Sequence, residues 1–205
     1  MKYLIFDFNG TTVDDLPLVM EILTESLKSK NINITKYSTK YLRQTGVKNF
    51  MKEINVSKIQ LLWLYKDIKA KIKTRQSDCP LVKNFEKYLS VLSTKYKLLV
   101  FSSNSPETIK NYLIKNNVDK YFDGIYEDDS YFGKEVGLRK IIKNLKTNKD
   151  TIYYFGDESR DIVAAKKAGL KSVAVTWGFE GSIPLSATNP DFIINKPEEL
   201  LNINY

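Results

Sequence analysis

Short apolar runs and helical repeats alternate along most of this chain, and their order predicts its architecture. Tyr3, Leu4, Ile5 and Phe6 make an unbroken apolar run, the pattern of a strand buried on both faces of a parallel sheet. The character then turns helical. Leu18, Ile22, Leu23 and Ser26 recur at helical spacing, with Pro17 near the helix start, where its missing N–H costs little. A second clear helix begins at Ser57: Ser57-Lys58-Ile59-Gln60 has the form of a capping box, and Leu61, Leu64, Tyr65, Ile68 and Ile72 continue the repeat. Lys28 to Tyr37 reads as a connection, and Gly46 breaks the segment around Arg43. Residues 82–94 predict a helix feeding a strand at Lys97–Ser102. From there strands expected at Phe122–Tyr126, Thr151–Phe155, Lys171–Thr176 and Asp191–Ile194 alternate with helices expected at Pro106–Asn116, Lys134–Leu145, Ser159–Ala168 and Pro197–Leu201. This alternation predicts an α/β fold, a parallel sheet with helices on both faces, and the helical stretch after the first strand reads as an all-helical insert.

Composition narrows the picture without changing it. At 205 residues the chain is long enough for one large domain or one domain with an insert. No apolar run approaches the roughly 18 residues that span a bilayer, and residues 1–6 are too short for a signal peptide, so a cytoplasmic protein without a membrane partner is expected. A single cysteine, Cys79, leaves no internal disulfide framework and no multi-cysteine metal site. With no histidine, acid–base chemistry must fall to carboxylates, lysine or tyrosine. The net charge of +8 is spread along the chain as lysine rather than clustered, so nucleic-acid binding is not expected. Attraction of small anions is a modest consequence of the positive field.

The candidate chemistry sits where apolar runs end. Asp7 follows the first strand, and the turn Asn9-Gly10-Thr11-Thr12 allows backbone amides to approach an anion; the same residues also read as a strand-end cap and an ordinary turn. After the second buried run comes Ser102-Ser103-Asn104-Ser105-Pro106. Here Ser105 can cap a helix with Pro106 at its first position, which makes either a phosphate seat or a plain helix start. Lys134 opens a helix after Tyr131-Phe132-Gly133, against the helix dipole, which suggests another benefit for it there. After Tyr153-Tyr154-Phe155-Gly156 two carboxylates, Asp157 and Asp161, flank a helix start. Asp7 with Asp157 suits a hard cation such as Mg²⁺, which takes one or two protein carboxylates beside phosphate and water. Glu158 and Arg160 read as exposed helix-start residues.

Taken together, these four sites resemble the ordered motifs of the haloacid dehalogenase superfamily. Asp7-Phe8-Asn9-Gly10-Thr11-Thr12-Val13-Asp14 is similar to its first motif, Asp-x-Asp-Gly-Thr-Leu-x-Asp, with Asn9 where phosphatases of the family carry a second Asp and Thr12 in place of Leu. Ala174 to Phe179 is similar to a loop of phosphoglycolate-phosphatase-like members. The resemblance implies a Rossmann-like core at residues 1–14 and 81–205 with a helical cap at 15–80. It implies a Mg²⁺-dependent phosphatase acting on a small anionic phosphate ester through an aspartyl-phosphate on Asp7. The catalytic residues would be Asp7, Asn9 and Lys134; Asn9, Gly10, Ser102, Ser103 and Lys134 would bind phosphate; Asp7, Asn9 (through its carbonyl), Asp157 and Asp161, the last as an outer partner, would serve the metal. A phosphomutase, or a degenerate domain that binds phosphorylated ligands without turnover, are the alternatives. In the insert, Arg43 is the one candidate for selecting a leaving group, with an exposed surface arginine as the simpler expectation.

Overall fold

The apolar runs pair into one parallel sheet. In a computed structural model that describes residues 1–128 and 133–205, the strands are β1 (Tyr3–Phe6), β2 (Lys97–Ser102), β3 (Gly124–Glu127), β4 (Ile152–Gly156), β5 (Lys171–Val175) and β6 (Phe192–Ile194). Their order is β3-β2-β1-β4-β5-β6, every pairing parallel. The chain thus winds outward from β1 on one side through β2 and β3, and on the other through β4 to β6. Between β1 and β4 the winding reverses, and the crevice outside the strand ends at such a point is where ligands collect in open α/β sheets.

Alternate residues of each strand feed two cores, as a sheet covered on both faces requires. Leu4, Phe6, Leu98, Val100, Tyr153 and Phe155 pack on one side with Phe85 and Leu89 of α5 (Phe85–Leu92) and Ile109 and Leu113 of α6 (Pro106–Lys115). Ile5, Leu99, Phe101, Ile152 and Tyr154 pack on the other with Leu138 and Ile141 of α7 (Lys134–Leu145) and Ala164 and Ala165 of α8 (Ser159–Ala168).

Between β1 and β2 lie α1 (Leu16–Lys28), α2 (Thr39–Thr45), α3 (Val47–Glu53) and α4 (Lys58–Arg75), the last running into a 3₁₀ turn, Gln76–Asp78. They enclose a separate apolar core of Leu16, Leu23, Leu27, Ile34, Leu42, Phe50 and Leu64. The two connections between insert and sheet run side by side: Val13 bridges Leu81 antiparallel, Asp14 N–H donates to Pro80 O at 3.0 Å, and Val82 N–H donates to Thr12 O at 3.0 Å.

Local signals decide several boundaries. Ser57 and Gln60 form the expected capping box, and Ser105 Oγ accepts from Thr108 N–H at the start of α6. Gly46, at φ 77°, separates α2 from α3. The apolar repeat of α4 misleads, however. Only Leu64 is buried, with Ile68 packed partly against the insert core, while Leu61 and Tyr65 are 42% and 57% exposed. One layer of helices gives α4 a single inward face. Strand β3 begins at Gly124 rather than Phe122, because a 3₁₀ turn at Asp119–Tyr121 intervenes, and Pro197–Leu201 is 3₁₀ rather than α. A short α9 (Ser182–Ser186) was not foreseen. Tyr131 and Phe132 lie outside the described residues. Among the described residues no helix is long and apolar enough to cross a membrane.

Candidate functional site

The carboxyl ends of β1 and β4 deliver the site. Asp7 leaves β1 with its N–H donating to Phe155 O at 2.9 Å, and the chain then curls so that Thr12 and Val13 N–H both donate to Phe8 O. Asp157 leaves β4 on the neighbouring strand end. The contact between the two loops is too close for side chains. A Cβ on Gly10 would lie 2.1 Å from Asp157 Oδ2, and one on Gly178 would lie 2.2 Å from the same oxygen. Gly10 also needs its φ of 69°, so two separate constraints hold glycine there.

Lys134 explains its own unfavourable position at a helix start. From the first residue of α7 its ammonium donates to Asp7 Oδ2 at 2.8 Å and Asp161 Oδ1 at 2.6 Å. Asp7 Oδ1 accepts from Phe8 N–H at 2.8 Å, and Asp161 Oδ2 from Glu158 N–H at 3.1 Å. Asp157 is gripped at both oxygens, Oδ1 by the Thr11 hydroxyl and Oδ2 by Phe179 N–H, each at 2.8 Å. Asp7, Asp157 and Asp161 can bring one oxygen each within 4.8 Å of one another, and all three are buried.

Three buried carboxylates around one lysine leave an excess of negative charge in a poorly solvated place. Burial raises the Asp7 carboxyl, opposed by Lys134, and it raises Asp157 well above the ordinary carboxylate range, with the charges of Asp161 and Glu158 adding to it. Burial works against the Lys134 ammonium too, but Asp161 and Asp7 outweigh it and hold Lys134 well above its usual value. The donor set is all oxygen, buried and short of positive charge, which fits a hard divalent cation.

Of the other expected residues, Ser102 is buried at the end of β2, its Oγ accepting from Asn104 N–H at 3.2 Å, and so keeps its own proton to give. Ser103 is exposed on the same turn. Asn9 is held on both sides: its Nδ2 donates a short hydrogen bond to Asp15 Oδ2, and its Oδ1 accepts from Asn104 Nδ2 at 2.7 Å. Gly10 N–H donates to Asp15 Oδ1 at 2.9 Å. Asp15 is fully buried, which pushes its carboxyl up to about 6 against the pull of those two donors. Glu158 departs from the expected exposed role: it caps α8 in a capping box with Asp161, and burial pushes its carboxyl up to about 7 against its ion pair with Arg160.

Arg43 corrects the simpler expectation of a surface side chain. From α2 its Nε donates to Gly178 O at 2.7 Å and its Nη2 to Trp177 O at 2.6 Å, while Gly181 N–H donates to Arg43 O at 2.8 Å. The loop it holds is the one whose Phe179 N–H grips Asp157. The far end of that loop is fixed by Glu180, whose carboxylate accepts from the N–H (2.7 Å) and hydroxyl of Ser159. Neither Arg43 nor Glu180 carries a sequence signal for this, since their partners lie far along the chain.

The sequence profile described as haloacid dehalogenase-like hydrolase matches residues 4–175. A phosphoglycolate phosphatase of Synechococcus elongatus is 28% identical over 98% of this chain and 96% of its own length. A pyrophosphatase PpaX of Bacillus mycoides is 25% identical over 97% of this chain and 94% of its own length. Among solved structures, a haloacid dehalogenase-like family hydrolase from Streptococcus pneumoniae superposes with a TM-score of 0.79 at 21% identity, covering 98% of this chain and 97% of that one.

Proposed function

The chain belongs to the haloacid dehalogenase-like hydrolase family, and from that premise we propose that it is a Mg²⁺-dependent phosphatase that hydrolyses a small phosphate monoester through an aspartyl-phosphate on Asp7. The observation that carries this reading is the Asp7–Lys134–Asp161 arrangement beside Asp157: a carboxylate with one oxygen tied to a buried ammonium at 2.8 Å, at the switch point of the sheet. The phosphoglycolate phosphatase and pyrophosphatase relatives point to a small phosphorylated substrate, with phosphoglycolate-like esters first.

In this reading Asp7 attacks phosphorus and the ester oxygen leaves, dividing one difficult displacement into two easier ones. Lys134 holds the nucleophile in aim and balances the charge of the phosphoryl oxygens, with the Ser102 hydroxyl and the N–H groups of Asn9 and Ser103 as further donors, while the Gly10 N–H, expected among them, is taken by Asp15 Oδ1. Asp7, Asp157 and the Asn9 carbonyl would hold Mg²⁺, with Asp161 bracing the arrangement through Lys134 and Glu158; bound there, the ion would neutralise charge on the transferring group. Residues 15–80 act as a cap that closes on the paired connections at Val13 and Leu81 and shuts out water, with Arg43 as its fastening to the Asp157 loop. Water then releases phosphate from Asp7.

Asn9 favours a second reading. An amide cannot supply or take the proton that a carboxyl at this position would, so a phosphate-binding domain of low turnover is the competing function. A screen of small phosphate esters with and without Mg²⁺ separates the two. Metal-dependent release of phosphate that Asp7→Ala abolishes supports the phosphatase; ligand-induced stabilisation without release supports the binder. Wild-type turnover in Asp7→Ala refutes the mechanism.

A further inference from the structure

The insert rejoins the core at Gln76, the first residue of the 3₁₀ turn Gln76–Asp78, and this side chain is 1% exposed. Its Oε1 accepts from Asn104 Nδ2 at 3.2 Å, and the same Nδ2 donates to Asn9 Oδ1 at 2.7 Å. The orientation of these amides is set from one end. Asp15, as a carboxylate, only accepts, so Asn9 must turn its NH₂ to it and its carbonyl to Asn104. Asn104 must then offer its NH₂ to both neighbours, and Gln76 must receive with its carbonyl. What remains is the Gln76 NH₂ group, buried and without an acceptor.

Among the described residues only two buried side-chain polar atoms lack a hydrogen-bond partner, Gln76 Nε2 and the Tyr154 hydroxyl. The phenol ring of Tyr154 lies under the Lys134 ammonium, 5.4 Å from its centroid, and so belongs to the surroundings of the charged cluster. Gln76 has no such explanation. Folded proteins leave few buried donors unmade, and one oriented by a relay that begins at the reactive loop points to a ligand oxygen.

We infer that Gln76 is a specificity-determining residue whose Nε2 donates a hydrogen bond to an acceptor oxygen on the leaving-group side of the phosphate ester. The inference rests on the phosphatase reading, in which phosphorus sits at Asp7 and Asn9 faces the ester oxygen. The relay from Asn9 through Asn104 then ties the Gln76 donor to the residue at the ester oxygen. The ligand class is a small phosphate ester whose alcohol portion carries a carboxylate or hydroxyl oxygen. A site built to donate to such an oxygen discriminates strongly against the analogue without it.

The test compares 2-phosphoglycolate, which carries that oxygen, with ethyl phosphate, which does not. Gln76→Met keeps the length and removes the donor; Gln76→Glu replaces the donor with a negative acceptor. With Mg²⁺ present, Gln76→Met is expected to lower kcat/KM for 2-phosphoglycolate by about tenfold or more, mainly through KM, the effect of one lost hydrogen bond to a charged acceptor. Ethyl phosphate should stay within about twofold, and Gln76→Glu should impair 2-phosphoglycolate further than Gln76→Met. Equal losses on both esters, or no loss on either, overturn the inference. Calorimetric titration of both esters into the Asp7→Asn protein, with and without Gln76→Met, reads the same preference without turnover. If no ester is hydrolysed but that preference appears and is lost with Gln76→Met, the phosphatase reading fails and the role of Gln76 stands. If no preference appears in binding, the role of Gln76 falls.

Discussion

Replacing Asn9 with aspartate is the change that tests most of the proposed chemistry at once. It turns the group that donates to Asp15 Oδ2 into an acceptor, within hydrogen-bonding distance of a fully buried carboxyl already pushed up to about 6. Two ionised carboxylates about 4 Å apart repel by about 4 kcal/mol at an effective dielectric of 20, equivalent to about three pKa units, so the pair keeps one shared proton at neutral pH. That proton is the one an alkyl leaving group needs. Positioned general acids contribute roughly 10²–10⁴-fold, so Asn9→Asp should raise turnover of an alkyl phosphate at least about tenfold, with part of the range lost to competition from Asp15. An aryl phosphate, whose leaving group departs without a proton, should gain much less. The assay is kcat on ethyl phosphate against an aryl phosphate from pH 5 to 9 with Mg²⁺, where the gain should fade on the alkaline side as the shared proton is lost. An unchanged alkyl rate in a variant that still binds Mg²⁺ would refute the assignment and strengthen the binding-domain reading.

Other expectations follow from the same geometry. Without divalent metal the protein should be less stable at pH 8 than at pH 5. Asp15 is raised in the folded state from the ordinary 3.8 to about 6, so its contribution is complete below about pH 4 and is lost as pH rises through 6. The full loss amounts to about 3 kcal/mol for this group alone, about half of it falling between pH 5 and pH 8, and the raised carboxyls of Asp7, Asp157 and Glu158 act in the same direction. Thermal unfolding in chelator at the two pH values checks it, and a higher melting temperature at pH 8 would contradict it. Asp157→Ala should raise the Mg²⁺ concentration needed for half-maximal activity; an unchanged titration would assign the ligand wrongly. Arg43→Gln should raise it too, by a smaller factor, because the Phe179 N–H that grips Asp157 belongs to the loop Arg43 holds. A wild-type Mg²⁺ titration in Arg43→Gln would separate that loop from the metal. Leu62→Lys, on the outward face of α4 at 67% exposure, should change stability by no more than about 0.5 kcal/mol by denaturant unfolding.

What could be read from the sequence was whatever local pattern dictates. Buried runs ending in Asp7, Ser102 and Asp157 gave the strand ends. Ser57 with Gln60 gave a helix start, and the misfit of Lys134 at a helix N-terminus signalled a further role without naming its partners, Asp7 and Asp161. Residues whose role depends on distant partners were silent. Asp15 carries no local signal, and only tertiary packing buries it against Gly10 and Asn9. Arg43 and Gln76 are ordinary polar residues of a helical segment until the fold brings them to Trp177, Gly178 and Asn104. The α4 repeat was a true helical signal but carried no information on depth, because the insert has a partner for only one of its faces.

The hold of Arg43 on Trp177 and Gly178 also bears on how such proteins can be recombined. The helical insert and the sheet look like exchangeable parts, joined by two adjacent connections that could be cut at Val13 and Leu81. Yet the backbone that positions a carboxylate of the sheet is completed by a side chain of the insert. A chimera that takes its insert from a relative inherits a foreign residue at that seam, and its Asp157 loop is left to find another support. Residue 43 and residues 177–181 therefore form one inheritable unit split across two stretches of sequence, and they must travel together.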